Sequence, residues 1–180
     1  MVHIYLVGMP GSGKSFWMKK IAREFDCNSI DLDKKIEQVT QCSISEIFQD
    51  GEDRFRLIER EVLSGLIESS KDESLVIATG GGTPCFYNNM ELMLKDGLVI
   101  YLEAPPKFLL SRVNQSSTKR PLLIDQSPEE ALETIEKLYT HRRQYYERAH
   151  ERLMVINATI SNFATIIKSK IDSQWFTKQP

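Results

Sequence analysis

Gly8-Met9-Pro10-Gly11-Ser12-Gly13-Lys14-Ser15 decides how the rest of the chain is read. It matches the phosphate-loop pattern Gly-x-x-x-x-Gly-Lys-Ser/Thr. Its glycines let backbone N–H groups curl around phosphate oxygens with no Cβ in the way. A helix starting where the loop ends adds its partial positive charge. Lys14 can reach the β- and γ-phosphates, and Ser15 can offer a hydroxyl to Mg²⁺. Average residue usage gives such a match by chance in about one chain in a hundred of this length, so the surroundings matter. They fit: His3 to Val7 is a short apolar run ending at Gly8, and Lys14 to Phe25 carries Met18, Ile21, Ala22 and Phe25 on one helical stripe.

Outward from the loop, strands and helices alternate. Asn28 to Asp31 reads as a second strand, Asp33 to Thr40 as a helix, and Ser43 as the cap of another. Glu52 to Ser69 is a longer helix with Phe55, Ile58, Val62 and Leu66 in step. Ser74 to Thr79 is β-rich and stops at Gly80-Gly81-Gly82, and Phe86 to Lys95 is a weak helix. Leu98 to Leu102 is all apolar between Gly97 and Pro105-Pro106, the pattern of a buried strand. Pro106 to Arg112 opens a helix with proline in its first turn, and Asn114 to Gln126 is polar and loop-like. Ser127-Pro128-Glu129-Glu130 starts a helix that is expected to run to about His150. A last strand is expected at Met154 to Asn157 and a last helix at Asn162 to Ile171. Short apolar strands separated by helices predict an α/β fold, a parallel sheet covered on both faces. Ligands in such folds sit outside the carboxyl ends of the strands.

The 180 residues suit one domain, residues 1–173, with 174–180 as a tail. Twenty-three Lys and Arg against 25 Asp and Glu leave a net charge of −2, which removes the global argument for a nucleic-acid coat or a polybasic membrane anchor. The longest apolar run, Leu98 to Leu102, is far short of the ~20 residues of a spanning helix. Met1-Val2-His3-Ile4 lacks the features of a signal peptide. Cys27, Cys42 and Cys85 form no Cys-x-x-Cys pair, so a reducing, cytoplasmic setting is expected.

Several charged residues follow strands or interrupt apolar stripes. Asp31 and Asp33 end the second strand, on one side of it if the backbone stays extended. One carboxylate can serve Mg²⁺ and the other can take a proton from an attacking hydroxyl; the competing reading makes Asp33 a helix cap. No strand ends in an apolar run plus Asp of the Walker B kind, which leaves Asp31 as the metal candidate. Arg56 and Glu59 share a helix face that Leu63 continues, either a solvated pair or a carboxylate holding a guanidinium fork for an anion. Arg142 falls on the stripe of Ile135, Leu138, Tyr145 and Ala149, whereas Arg143 points about 100° away. A cation on a buried stripe needs a partner. Gly80-Gly81-Gly82 permits close backbone approach to a ligand. Arg120, in Lys119-Arg120-Pro121, lies in a segment long enough to be a lid over the γ-phosphate, or is a solvated loop cation.

Taken together, the phosphate loop, Asp31-x-Asp33, Phe55-Arg56-x-x-Glu59, Ala78-Thr79-Gly80-Gly81-Gly82, Arg120-Pro121-Leu122-Leu123 and Arg142 resemble the shikimate kinase family over residues 3 to about 157. The resemblance implies a P-loop kinase fold of the nucleoside-monophosphate-kinase kind, with a five-stranded parallel sheet in the order 2-3-1-4-5. It implies transfer of the ATP γ-phosphoryl group, with Mg²⁺, to the 3-hydroxyl of shikimate, a step toward chorismate and the aromatic amino acids. By the family pattern Asp33 contacts the shikimate hydroxyls and is the base. Gly11, Ser12, Gly13, Lys14, Ser15 and Phe16 hold the nucleotide, and Ser15 and Asp31 serve the metal. Arg56, Arg142 and the Gly80, Gly81 and Gly82 backbone receive the substrate. Arg120 faces the transferring phosphate and the nucleotide, with Arg112 a candidate second lid arginine. Phe48 and Phe55 line the substrate pocket. A substrate segment at about 33–61 and a lid at about 113–126 follow.

The nearest competing reading is a gluconate-kinase-like enzyme, whose substrate is also a polyhydroxy acid; the Arg-Pro-Leu-Leu stretch and the triple glycine argue against it. A nucleotide-binding switch predicts an Asn-Lys-x-Asp motif, which is absent. A non-catalytic binding module predicts loss of Lys14, Asp33 or the arginines, and all are present. The expected partners are shikimate and ATP, with no nucleic acid and no membrane, and the chain is expected to be a monomer.

Overall fold

A run of four or five apolar residues makes a strand buried on both faces, and three such runs form the centre of the sheet. The computed structural model describes residues 1–114 and 127–170. Strands β1 (His3–Val7), β2 (Asn28–Asp31), β3 (Leu75–Ala78), β4 (Gly97–Glu103) and β5 (Glu151–Met154) lie in the order β2-β3-β1-β4-β5. Every neighbouring pair is parallel, with Tyr5 of β1 in register with Ile77 on one side and Val99 on the other. This is the 2-3-1-4-5 order expected. The helices are α1 (Lys14–Glu24), α2 (Leu32–Thr40), α3 (Ile44–Gln49), α4 (Glu52–Ser69), α5 (Asn89–Asp96), α6 (Pro106–Asn114), α7 (Pro128–Tyr146) and α8 (Ile160–Lys170). They cover both faces of the sheet, giving three layers. Trp17 of α1 and Phe163 of α8 join two of them, ring to ring at 4.6 Å.

Capping residues set several boundaries as expected. Ser43 and Ser127 each accept from the backbone N–H three residues on, and Glu46 and Glu130 reach back to close a capping box.

Other boundaries move, for local reasons. The helix after β2 begins at Leu32, so Asp33 sits in its first turn and the two aspartates are not arrayed along an extended strand. Asp31 occupies the cap position without a side-chain cap bond, which sets aside the cap reading of Asp33. The weak helix expected at 86–95 is α5, and it starts only at Asn89 because Tyr87 and Asn88 take left-handed backbone angles; a separate 3₁₀ turn, Thr83–Cys85, precedes it. Helix α7 ends at Tyr146, short of His150, since the chain must turn to reach the sheet edge. There His150 Nδ1 accepts the Val99 N–H at 3.1 Å, just before Ile100 pairs with Glu151.

The last strand is Glu151–Met154, three residues earlier than the expected Met154 to Asn157. As an edge strand it buries one side only, so charged residues belong in it: Arg152 pairs with Glu103 across the ladder. Val155–Asn157 forms a 3₁₀ turn instead. Arg120 and most of the segment proposed as a lid, about 113–126, lie outside the described residues, as does the tail at 174–180.

Candidate active site

The site forms where β1, β2 and β3 end. Gly8 leaves β1 with φ +141°, and a Cβ there would stand 2.6 Å from the Leu102 carbonyl oxygen, so only glycine fits beside β4. Gly13, at φ +88°, opens α1. Lys14 is buried, and its Nζ donates to the carbonyls of Gly8 at 2.8 Å and Met9 at 3.0 Å, the cation folded onto its own loop. Ser15 Oγ donates to Asp31 Oδ2 at 2.6 Å. A hydroxyl and a carboxylate side by side are hard oxygen donors of the sort Mg²⁺ takes, with water and phosphate oxygens completing its shell. Among the described residues no cluster of three His, Cys, Asp or Glu could hold a metal by itself.

A cavity of about 270 Å³ opens here, walled by Lys14, Ser15, Phe16, Asp31, Asp33, Gly80, Gly81 and Arg112, with Gly11 and Gly13. Both aspartates therefore face one space, although a helix start rather than strand alternation brings them there. Phe16 is exposed at its rim. Arg112 is exposed as well, its guanidinium 5.2 Å from the Phe108 ring.

Behind β3 the triple glycine is packed on all sides. A Cβ on Gly80 would lie 3.0 Å from each of Asp33 Oδ1, Glu59 Oε1 and Thr83 Oγ1. One on Gly81 would lie 2.7 Å from Pro10 and 3.3 Å from Arg142 Nη1, and one on Gly82 would strike the Arg56 guanidinium. The three glycines thus let Asp33, Arg142 and Arg56 in turn approach the same short stretch of backbone.

Arg56 is not a solvated cation. It is 5% exposed and Glu59 is 0% exposed, and Arg56 Nη1 donates to Glu59 Oε2 at 2.8 Å. Nε and Nη2 donate to Glu52 Oε1 at 3.1 and 2.9 Å. The guanidinium lies 4.9 Å from the Phe55 ring centre and 4.5 Å from that of Phe86. Burial disfavours its charge, but Glu59 and Glu52 outweigh this and hold its pKa above the ordinary arginine range. Phe48 packs on Phe55 at 4.6 Å.

Arg142 is buried on α7, and Arg143 is exposed and bound to Glu147 at 2.7 Å. Among the described residues no carboxylate pairs with Arg142. The buried stripe runs through Ala131, Ile135, Arg142 and Tyr146, so the fully buried tyrosine is Tyr146 and not Tyr145. The sequence offers Glu59 only as a partner of Arg56. Its second bond, from Thr83 Oγ1 at 2.5 Å, carries no sequence signal because Thr83 comes from another element. Burial pushes the Cys85 thiol up to about 11, so it stays protonated and is no nucleophile.

With this geometry in place, the shikimate kinase family model matches residues 10–172. The chain belongs to the shikimate kinase family. A shikimate kinase of Phocaeicola vulgatus is 39% identical over 150 residues, which is 83% of this chain and 84% of that one. The structure of shikimate kinase from Bacteroides thetaiotaomicron is similar at TM-score 0.83 and 31% identity, covering 94% of this chain and 96% of that one. Shikimate kinase from Acinetobacter baumannii, in complex with shikimate, is similar at TM-score 0.81 and 31% identity over 96% of each chain. Membership of the shikimate kinase family sets aside the gluconate-kinase reading.

Proposed function

We propose that the chain transfers the γ-phosphoryl group of ATP to the 3-hydroxyl of shikimate, giving shikimate 3-phosphate and ADP. The observation that carries this reading is the buried Arg142, without a carboxylate partner among the described residues, beside Gly81 as Arg56 is beside Gly82. Two buried guanidiniums on one stretch of glycine backbone call for a small, anionic acceptor, and the shikimate carboxylate supplies the charge.

The division of labour we propose joins the family pattern to the places of the described residues. The phosphate loop, Gly11 to Phe16, receives the triphosphate. Lys14 moves from its own carbonyls to the phosphate oxygens. Ser15 and Asp31 would hold Mg²⁺, which neutralises charge on the phosphates when bound. Asp33, at the wall shared by the nucleotide cavity and Gly80, aligns the acceptor hydroxyl and takes its proton as the oxygen bonds to phosphorus. Arg56, Arg142 and the Gly81–Gly82 backbone hold the substrate's carboxylate at the other end. Residues 33–61 form the substrate segment, and by the family pattern Arg120 serves the transferring phosphate. Two anchored ends turn a bimolecular encounter into an oriented one, which is most of what phosphoryl transfer asks of a protein. No helix among the described residues is long and apolar enough to cross a membrane, and we place the enzyme in the cytoplasm as a monomer.

A coupled ADP-release assay with shikimate, gluconate and no acceptor tests the reading. ADP release should depend on shikimate alone. Equal rates in all three arms reject it.

A further inference from the structure

We infer that Tyr146 is a positioning residue for the carboxylate end of the substrate, acting through the Gly81–Gly82 peptide; this rests on the proposed shikimate-binding role of the site. Tyr146 is the last residue of α7, one turn beyond Arg142, and it is fully buried. Its ring stacks on Tyr101 of β4, centres 5.2 Å apart and planes 27° from parallel. Its hydroxyl donates to the Gly81 carbonyl oxygen at 2.5 Å and lies 3.7 Å from Met9 Sδ in the phosphate loop.

The consequence lies in the peptide that this bond holds. A trans peptide sends the Gly82 N–H in the direction opposite to the Gly81 carbonyl. With that carbonyl tied to α7, the N–H is held to the other side. Gly82 itself abuts the Arg56 guanidinium, and Gly81 lies close to Arg142. Among the described residues neither Gly81 nor Gly82 donates its N–H to a backbone carbonyl. Buried N–H groups rarely stay unpaired, and one next to two guanidiniums suits a bound carboxylate.

Successive glycines rotate more freely than any other backbone, so the orientation needs a tether. Tyr146 is that tether, and because it shares α7 with Arg142 the cation and the peptide keep a fixed relation to each other. Phenylalanine would fill the same space. A buried hydroxyl costs stability unless it is bonded, and this one is bonded to Gly81. Burial pushes its pKa above the ordinary phenol range, with the neighbouring Arg142 opposing, so it remains a donor at any working pH.

The test compares Tyr146→Phe with wild type using shikimate and its uncharged methyl ester. The variant keeps the ring and its stack, and thermal melting checks that it is folded. Tyr139→Phe, on the same helix, removes a hydroxyl bound to Glu103 of β4 and is the control. We expect the shikimate KM to rise about tenfold in Tyr146→Phe, with the ATP KM unchanged and Tyr139→Phe like wild type. The ester, lacking the charge, should lose less than about twofold. An unchanged shikimate KM, or equal losses for acid and ester, overturns the inference. Wild-type protein with no shikimate-dependent turnover would instead overturn the proposed function on which it stands.

Discussion

The Arg56 guanidinium and the Glu59 carboxylate meet at 2.8 Å, less than one helical turn apart on α4, with almost none of either side chain open to water. Two buried charges persist only when their remaining lone pairs and protons are also bonded. Thr83 Oγ1 takes the second oxygen of Glu59, and Glu52 takes the outer edge of Arg56. The two acids differ in kind. Glu59 is sealed inside, while the Glu52 side chain is 52% exposed and can swing away.

The first prediction follows from that difference. Glu59→Ala should cost about 3–5 kcal/mol, because it strands a buried cation. It should also raise the shikimate KM about tenfold or more, since the fork loses its fixed orientation. Glu52→Ala should cost less than about 1 kcal/mol and leave shikimate binding unweakened, because Glu52 occupies the edge of Arg56 that a substrate carboxylate would take. Chemical denaturation and steady-state kinetics on both variants decide it. A larger effect at Glu52 would show that the outer acid, not the buried one, sets the arginine.

A second comparison separates the adjacent arginines of α7. Arg142→Ala removes a buried cation facing Gly81, and Arg143→Ala removes an exposed one already bound to Glu147. The shikimate KM should rise at least about 30-fold in the first and less than about twofold in the second, as expected for losing a charged contact against a surface pair. The opposite ranking would reassign the carboxylate contact.

Much of this was legible in the chain because local rules and tertiary structure agree. The phosphate loop needs glycine at fixed spacing, the central strands need unbroken apolar runs, and Ser43 and Ser127 cap their helices by contacts within four residues. Arg142 could be told from Arg143 because helical spacing alone decides which is buried. What escaped depends on neighbours distant in sequence. The edge strand β5 carries Glu151 and Arg152, whose place is set by Glu103 and by the open side of the sheet, so hydropathy alone points to Met154–Asn157 instead. Helical spacing admits Tyr145 to the α7 stripe as readily as Tyr146, because both are tyrosines one step apart. Only the stack on Tyr101 and the bond to Gly81 distinguish them. Thr83 and Glu59 find each other across 24 positions, which no periodicity reports.

Asp33 and its immediate surroundings give the third prediction. Asp33→Asn keeps the shape of the first turn of α2 and leaves the phosphate loop untouched, so ATP affinity should change less than about twofold. Turnover should fall about 10²–10⁴-fold, the usual worth of a general base. ATP titration by calorimetry together with single-turnover kinetics checks both halves. Normal turnover in this variant would remove Asp33 as the base and leave the proton to the phosphate itself.

The Ser15–Asp31 contact predicts a separable metal effect. Asp31→Asn removes the carboxylate charge beside the Ser15 hydroxyl while keeping an oxygen in place. The Mg²⁺ concentration for half-maximal rate should rise about tenfold, and saturating Mg²⁺ should restore much of kcat, because the variant weakens metal binding without touching the acceptor. The shikimate KM measured at saturating Mg²⁺ should stay within about twofold. A lowered kcat that Mg²⁺ cannot restore would place Asp31 in the chemical step.

At the opposite end of β1 from the phosphate loop, His3 is buried against Asp96, with Nδ1 2.6 Å from Oδ2 and Nε2 3.0 Å from the Ser70 carbonyl oxygen. The Tyr5 hydroxyl donates to the same Asp96 oxygen, and the Ser70 hydroxyl also faces Nε2, at 3.2 Å. Burial works against charge on both His3 and Asp96. Each nevertheless shifts toward its charged form, His3 upward from 6.5 and Asp96 downward from 3.8, because the other stands beside it. The signs then differ. A raised histidine contributes stability that is complete below its unfolded pKa, about 6.5, and fades as pH rises through the higher folded value. A lowered aspartate contributes stability that is complete above about 3.8 and fades as pH falls through the lower folded value. The pair is therefore worth most between about pH 4 and 6.5. Thermal melts of wild type and His3→Asn across pH should show the largest gap in Tm in that window and a shrinking gap above about pH 7. A gap that is constant from pH 5 to 9, within about a degree, would mean that His3 is neutral in the folded protein and acts only by its shape.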